Sequence, residues 1–127
     1  MQPVSILVAD DDPYIRQCVR HAMEIDSQLL VLWEAENGLQ ALALANQHHP
    51  DVVLLDAEMP RMDGFEAARC LRQRCPDVRI VIMSLYEQAR EQAMESGADA
   101  FVMKDCGCTE LRSTLYRVLG VAPLTAR

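Results

Sequence analysis

The chain has 127 residues, a net charge of −7 and 50% hydrophobic residues, which is the size of one domain with an ordinary globular composition. The acidic balance argues against nonspecific binding of nucleic acid or of an anionic membrane by this domain itself. The sequence contains neither an apolar run of about 18 residues nor a basic leader. We therefore expect no membrane segment. The five cysteines are odd in number, which favours reduced thiols in a cytoplasmic protein.

Five short apolar runs predict β-strands. Most of them lack the alternation of polar and apolar residues that marks a half-exposed strand, which is typical of parallel strands buried on both faces. The predicted strands cover residues 4–9, 29–33, 51–55, 78–83 and 100–103.

Helical spacing of apolar residues predicts a helix after each strand. Asp12 and Pro13 suit the N-cap and first position of the first helix, and Gly97 suits the C-terminal stop of the fourth. We expect Thr109 or a neighbour to cap the fifth helix. The predicted helices cover residues 13–24, 39–47, 64–74, 87–96 and 109–119.

The alternation of strands and helices predicts an α/β fold with a parallel sheet and helices on both faces. Right-handed crossovers leave few topologies, of which we predict the flavodoxin-like, doubly wound order 2-1-3-4-5. Residues 1–120 then form one domain, and residues 121–127 form a tail or the start of a linker.

The fourth predicted helix has few apolar residues with which to pack against the sheet. Its inward set is Ala89, Ala93 and Met94. Because little apolar burial gives weak anchoring, we expect this helix to be the most mobile of the five.

Polar residues stand where four of the predicted strands end. Asp10 and Asp11 follow the first strand, Asp56 ends the third, Ser84 the fourth and Lys104 the fifth. In the predicted topology these side chains converge at one edge of the sheet. Three carboxylates packed together repel one another, so a stable site needs cations. Lys104 is one, and a hard divalent ion such as Mg²⁺ is the other.

This set of groups is suited to phosphoryl transfer. Asp56 can attack phosphorus as a carboxylate nucleophile and form an aspartyl phosphate. Mg²⁺ and Lys104 would neutralise charge on the transferring oxygens, and Ser84 would bond one of them.

Four motifs in this order carry a family resemblance. They are Asp10-Asp11, Asp56 with Met59-Pro60 and Met62-Asp63-Gly64, Ser84, and Lys104. Over essentially its whole length the sequence resembles the receiver domain of two-component response regulators. The resemblance implies a phosphorylation-controlled switch, not an enzyme in the usual sense, in which Asp56 accepts a phosphoryl group from a sensor histidine kinase.

The resemblance also implies a metal site and a switch. Asp11 and Asp56 would bind Mg²⁺ directly, the backbone carbonyl of Glu58 would be a third ligand, and Asp10 would act through water. Ser84 would move toward the phosphate while Phe101 changes its burial. The face formed by the fourth helix, fifth strand and fifth helix would carry the signal and could mediate a homodimer.

Two positions depart from the commonest receiver pattern. Asp105 stands where many receivers have Pro, so we do not expect a cis peptide bond there. Leu85 is larger than the usual residue and could slow phosphorylation by narrowing access to Asp56. Both residues, with Tyr86, resemble the receivers joined to LuxR-type helix-turn-helix domains, as does the segment 123–127. DNA binding and transcription regulation would then belong to a further C-terminal domain.

Two other functions remain open at the level of sequence. Asp10 to Asp12 fit the D-x-D pattern of haloacid-dehalogenase-like phosphatases, with Asp10 as nucleophile and Asp12 as acid/base. The same fold could also act as an interaction module that does not need phosphate. We expect Asp56→Asn and Lys104→Ala to break signalling but to preserve the fold, because neither change opens a core cavity.

Overall fold

Five strands and five helices alternate along residues 2–120, the part of the chain that the computed structural model describes. The strands are β1 (Val4–Ala9), β2 (Leu29–Ala35), β3 (Val52–Asp56), β4 (Arg79–Ser84) and β5 (Ala100–Met103). The helices are α1 (Pro13–Glu24), α2 (Gly38–His48), α3 (Gly64–Arg74), α4 (Ala89–Glu95) and α5 (Cys108–Leu119). In this part of the chain no helix has the length and apolar content needed to cross a membrane. The tail predicted at residues 121–127 lies outside the described residues.

All five strands are parallel and lie in the order β2-β1-β3-β4-β5, which confirms the predicted doubly wound fold. Ala9 pairs with Leu55, Asp56 with Met83, and Ser84 with Met103. The register therefore brings the carboxyl ends of the central strands together at one edge of the sheet.

Alternate side chains of the central strands enter two separate cores. Leu7, Leu55 and Ile82 belong to the cluster that includes residues of α2, α3 and α4. Val8, Leu54 and Val81 belong to the cluster under α1 and α5. Because both faces are covered, the central strands show the continuous apolar runs seen in the sequence.

Two local predictions differ from the structure. The N-cap of α5 is Gly107, a neighbour two residues before Thr109, and no side chain bonds to the helix start. Met94 is 46% exposed and does not point inward. Ala93 is the one buried residue of α4, which has only seven residues. The anchoring of α4 is therefore even thinner than predicted, while its mobility stays a prediction.

Arg72 joins α3 to β4 and to the loop before β5, at the edge of the sheet opposite the strand ends described above. Its guanidinium donates to the backbone oxygens of Gly97, Pro76 and Val78 at 2.8–3.1 Å. It also donates to Asp99 Oδ2 at 2.8 Å, and Asp99 Oδ2 accepts from the backbone N–H of Ile80. A single side chain thus satisfies the carbonyls of three loop residues.

We expect Arg72→Ala to lower the free energy of unfolding by about 2–4 kcal/mol, because it leaves carbonyls and a carboxylate without their charged donor. Urea unfolding measures this loss. Arg69→Ala is the matched control, since Arg69 is an exposed residue of the same helix, and it should change stability by less than about 0.5 kcal/mol. Equal losses in the two variants would contradict the role given to Arg72.

Candidate functional site

Three carboxylates meet at the carboxyl edge of the sheet, as predicted. One oxygen from each of Asp10, Asp11 and Asp56 lies within 4.8 Å of the other two. Asp10 is completely buried, Asp56 is 3% exposed, and Asp11 is exposed. Among residues 2–120 this is the single group of three or more acidic, histidine or cysteine side chains close enough to hold a metal ion.

Backbone N–H groups of the following loops fix two of these carboxylates. Asp10 Oδ1 accepts a hydrogen bond from the N–H of Asp12 at 2.9 Å. Asp56 Oδ1 accepts one from the N–H of Glu58 at 3.1 Å, so the backbone of Glu58 lies at the site. Asp12 itself caps α1 by accepting from the N–H of Tyr14 at 2.9 Å, as the sequence predicted.

Gly64 allows the loop after β3 to fold back onto Asp56. A Cβ atom at position 64 would lie 2.2 Å from the backbone oxygen of Asp56. The N–H of Gly64 donates to the backbone oxygen of Ala57 at 3.0 Å. Only glycine at position 64 permits this close approach, so the loop can pack on the Asp56 backbone without displacing it.

Lys104 reaches the two buried carboxylates from the end of β5. Its Nζ lies 2.8 Å from Asp10 Oδ2 and 3.0 Å from Asp56 Oδ1. The Lys104 side chain is only 11% exposed, so it is a buried member of the site to which the sequence assigned it. Lys104 is the one lysine of the chain, whereas arginine occurs at eleven positions. That composition is a signal which the sequence interpretation did not use.

The charges at the site do not balance in the absence of a further cation. Burial raises the pKa of Asp56 from 3.8 to about 6, and the nearby Asp10 charge adds to the rise, although Lys104 and the Glu58 N–H oppose it. Burial would lower the pKa of Lys104, but its contacts with Asp10 and Asp56 outweigh burial and raise it. One ammonium is therefore held firmly between two carboxylates that it cannot fully neutralise.

The oxygen donors fit a hard divalent cation. Asp10 Oδ2 is buried, and its contact with Lys104 is an ion pair without hydrogen-bond geometry, so no hydrogen bond satisfies this oxygen among residues 2–120. Carboxylate oxygens are preferred ligands of Mg²⁺, and a second positive centre would oppose the burial and the Asp10 charge that raise the pKa of Asp56.

Ser84 and Phe101 lie on the neighbouring strands β4 and β5, and among residues 2–120 neither makes a hydrogen bond to the carboxylates. Ser84 is buried at the end of β4, where its Oγ accepts from the N–H of Tyr86 at 3.0 Å. Phe101 is 5% exposed, and the Arg90 guanidinium lies 4.8 Å from its ring centroid. The switch roles of both residues stay predictions.

Both departures from the commonest receiver pattern can be compared with the structure. No peptide bond of residues 2–120 is cis, which agrees with the expectation for the bond before Asp105. Leu85 is 60% exposed, so most of its side chain faces solvent. Its effect on the rate of phosphorylation stays a prediction.

Arg16 is a neighbour of the site that the sequence interpretation missed. Its Nη1 donates to the backbone oxygen of Asp10 at 2.6 Å, and its Nε donates to Glu34 Oε1 at 2.9 Å. No local signal distinguishes Arg16 from Arg20, since both lie on the same face of α1.

Comparison with known proteins agrees with this geometry. The family model described as the response regulator receiver domain matches residues 6–116. The chain is 35% identical over 118 residues to the nitrate/nitrite response regulator protein NarL of Escherichia coli strain K12. The aligned residues make up 91% of this chain and 55% of that protein. The chain thus spans about half the length of such curated relatives.

Solved structures give the same result. The signal receiver domain of the response regulator NarL from Mycobacterium tuberculosis superposes with a TM-score of 0.87 at 34% identity, covering 94% of this chain and 99% of that one. A DNA-binding response regulator of the LuxR family from Staphylococcus aureus superposes with a TM-score of 0.84 at 29% identity, covering 91% and 98%.

We expect Asp56→Asn to stabilise the metal-free protein at neutral pH. The folded-state pKa of Asp56 is raised, so its contribution to stability is greatest below pH 3.8 and is lost as pH rises through about 6. The amide removes this penalty and should raise the free energy of unfolding by about 1–3 kcal/mol at pH 7.5. The gain should shrink below pH 5.

Urea unfolding of both proteins between pH 4.5 and about 8 in the presence of a chelator measures the effect. Asp77→Asn, which removes an exposed carboxylate, should show no such pH-dependent difference from the parent. A lower stability of Asp56→Asn at pH 7.5 would contradict the charge imbalance.

Lys104→Ala should have the opposite effect. It leaves Asp10 and Asp56 without their shared cation, so the free energy of unfolding should fall by about 2–4 kcal/mol at pH 7.5. From the sequence we expected only that the fold is preserved, and the buried ion pairs add this loss of stability. Lys104→Arg keeps the charge and should lose less. Thermal unfolding in chelator compares the three proteins, and equal stability of parent and Lys104→Ala would refute the ion-pair assignment.

Proposed function

The chain belongs to the response regulator receiver family, and from that membership we propose that it is a switch in which Asp56 accepts a phosphoryl group from the phosphohistidine of a sensor histidine kinase. The observation that supports this most is the position of Lys104 between Asp10 and Asp56. A buried carboxylate and a buried ammonium at strand ends are the nucleophile and the charge acceptor that phosphoryl transfer requires.

The two oxygens of Asp56 have different surroundings, and we assign them different roles in phosphoryl transfer on that basis. Oδ1 contacts Lys104 Nζ and accepts from the N–H of Glu58. No hydrogen bond to Oδ2 occurs among residues 2–120, so Oδ2 is the oxygen we assign as the nucleophile. Its electron pair forms the P–O bond while the P–N bond of the phosphohistidine breaks. The bonding pair returns to the imidazole nitrogen, which is left neutral.

Asp56 must be ionised to attack, and its raised pKa opposes ionisation only slightly at pH 7.5. Lys104 is close enough to neutralise an oxygen of the transferred group without leaving its place. Ser84 would reach the phosphoryl group by exchanging its bond with the Tyr86 N–H for one with a phosphate oxygen. The removal of that bond would couple phosphorylation to the loop before α4.

We assign the Mg²⁺ ligands to Asp11 and Asp56 directly, to the backbone carbonyl of Glu58, and to Asp10 through water. Bound Mg²⁺ would supply positive charge to the phosphoryl oxygens. The burial of Asp10 and the exposure of Asp11 support this division, because the exposed carboxylate is free to adjust to the ion.

The signal would leave through the face of α4, β5 and α5. Phe101 lies in β5 and packs under Arg90 of α4, so a change in its burial would alter the surface of this face. The same face would serve a homodimer. The chain would assist its own phosphorylation and dephosphorylation in the cytoplasm without being an enzyme in the usual sense.

The output we propose is transcription regulation through a C-terminal DNA-binding domain. The support is the likeness to NarL and to a DNA-binding regulator of the LuxR family. Segment 123–127, whose sequence also resembles the start of such a domain, lies outside the described residues.

The phosphatase alternative is not favoured by the geometry. Both oxygens of Asp10, its nucleophile, are engaged, Oδ1 by the Asp12 N–H and Oδ2 by Lys104, whereas within the described part of the chain the contacts of Asp56 are both on Oδ1 and leave Oδ2 open. Asp12, its acid/base, is engaged in capping α1. The phosphate-independent module remains a distinct alternative that experiment must decide.

We expect incubation with Mg²⁺ and acetyl phosphate to add one phosphoryl group, about 80 Da, to the parent and none to Asp56→Asn, because Asp56 is the one nucleophile whose site can stabilise the adduct. Intact mass spectrometry measures this, and hydroxylamine should remove the adduct. Asp77→Asn serves as the control and should be modified like the parent.

The other outcomes discriminate between the alternatives. An adduct that persists in Asp56→Asn would place the nucleophile elsewhere and revive the phosphatase hypothesis at Asp10. Absence of an adduct from the parent, with a sensor kinase as well as with acetyl phosphate, would favour the phosphate-independent module.

A further inference from the structure

A chain of charged contacts runs from the edge strand β2 to the backbone of the acidic site. Glu34 on β2 accepts from Arg16 Nε at 2.9 Å through Oε1, and its Oε2 contacts Arg20 Nη1. Arg16 Nη1 in turn donates to the backbone oxygen of Asp10 at 2.6 Å. The Arg16 side chain is 13% exposed, so water weakens these contacts only in part.

The bond from Arg16 ends on the peptide group that joins Asp10 to Asp11. Because this group is planar, fixing its carbonyl oxygen also fixes the direction in which the Asp11 chain continues. The N–H of Asp10 is held from the other side by the backbone oxygen of Ala35 at 3.0 Å. The two adjacent peptide groups are therefore tied to β2.

Asp11 depends on this backbone placement more than the other two carboxylates do. Asp10 contacts Lys104 and the Asp12 N–H, and Asp56 contacts Lys104 and the Glu58 N–H. Among residues 2–120 the Asp11 side chain takes part in no hydrogen bond or ion pair. Its distance from the other ligands is thus set by the backbone that Arg16 holds.

We propose that Arg16 is a positioning residue of the metal site, which orients the Asp10–Asp11 peptide so that the Asp11 carboxylate faces the divalent cation, and that Glu34 holds the Arg16 guanidinium in place. This inference rests on the proposed function of the carboxylates as a Mg²⁺ site. Partners behind the metal ligands affect metal affinity through the orientation of those ligands.

Positioning and simple electrostatics predict opposite results when Arg16 is removed. Loss of a positive charge near the site would strengthen the binding of a cation. Loss of the hydrogen bond to the Asp10 carbonyl would weaken it, because the Asp11 carboxylate would no longer be held toward the ion. The direction of the change therefore identifies the mechanism.

The chain contains a matched control for this experiment. Arg20 lies one helical turn after Arg16, contacts the same Glu34 carboxylate and carries the same charge. It makes no hydrogen bond to the backbone of Asp10. Arg20→Ala thus reproduces the change in charge and the loss of a Glu34 partner without releasing the Asp10–Asp11 peptide.

The test is Mg²⁺ binding measured by isothermal titration calorimetry on the unphosphorylated parent, Arg16→Ala, Arg16→Lys and Arg20→Ala. Arg16→Ala should raise the Mg²⁺ dissociation constant about tenfold. Arg20→Ala should leave it unchanged or slightly lower. Arg16→Lys, which keeps the charge and one donor, should recover part of the affinity. With acetyl phosphate, Arg16→Ala should need more Mg²⁺ for half-maximal phosphorylation but reach a similar maximal rate.

An unchanged or lower dissociation constant in Arg16→Ala would overturn the inference, as would equal weakening in Arg16→Ala and Arg20→Ala. If the parent binds Mg²⁺ and is phosphorylated, either of these two results refutes only the role of Arg16 and leaves the proposed function intact. A parent that binds no Mg²⁺ would overturn the proposed metal site and this inference together. If circular dichroism shows that Arg16→Ala does not fold, Arg16→Lys is compared with Arg20→Ala. A higher Mg²⁺ dissociation constant in Arg16→Lys than in Arg20→Ala would support the positioning role, and an equal or lower one would overturn it.

Discussion

The contact of one buried ammonium with two buried carboxylates governs the rest of this site. Lys104 Nζ lies within 3.0 Å of an oxygen of Asp10 and of Asp56, and all three side chains are largely withdrawn from water. A single positive charge cannot neutralise both acids, and burial, together with the nearby Asp10 charge, raises the pKa of Asp56 to about 6. The site therefore stores an unfavourable negative charge. A divalent cation would relieve it, and a transferred phosphoryl group would change it again. A local change in charge of this kind can bias a two-state surface some distance away.

The sheet topology and the hydrogen bonds of the loops hold these clustered charges in place. Parallel strands β1, β3 and β5 deliver Asp10, Asp56 and Lys104 to one edge, while the two cores lie beneath it on either face. The acids are held by loop N–H groups and not by each other. Gly64 lets the loop after β3 pack on the Asp56 backbone, and Arg16 ties the Asp10 carbonyl to β2. Repulsion between the acids is thus opposed by bonds that come from outside the group.

Anchoring is distributed unevenly around the sheet. At the far edge Arg72 ties α3 to β4 and to the loop before β5 through several charged hydrogen bonds. By contrast α4 has seven residues, one buried side chain and no side-chain cap. Segments with few buried contacts are those that open or shift at low cost in free energy. A face that includes α4 and the Arg90–Phe101 contact therefore contains the helix with the fewest buried side chains, which supports its proposed role in carrying the signal from Asp56.

The sequence by itself determined the elements, their order and the four polar strand ends, because continuous apolar runs, Asp12-Pro13 and Gly97 act locally. The predicted bounds of β1, α1 and β5 are the observed ones.

Prediction from the sequence failed where the role of a residue depends on packing against distant parts of the chain. Met94 has helical spacing but faces solvent, since the short α4 presents little more than Ala93 to the core. The place of Lys104 at the site was predicted, but its burial was not, because that depends on β5 lying beside β4 in the folded sheet. Arg16 and Arg20 are alike along α1, and only the placement of β2 against β1, with Glu34 beside Val8, brings one of them to the Asp10 carbonyl.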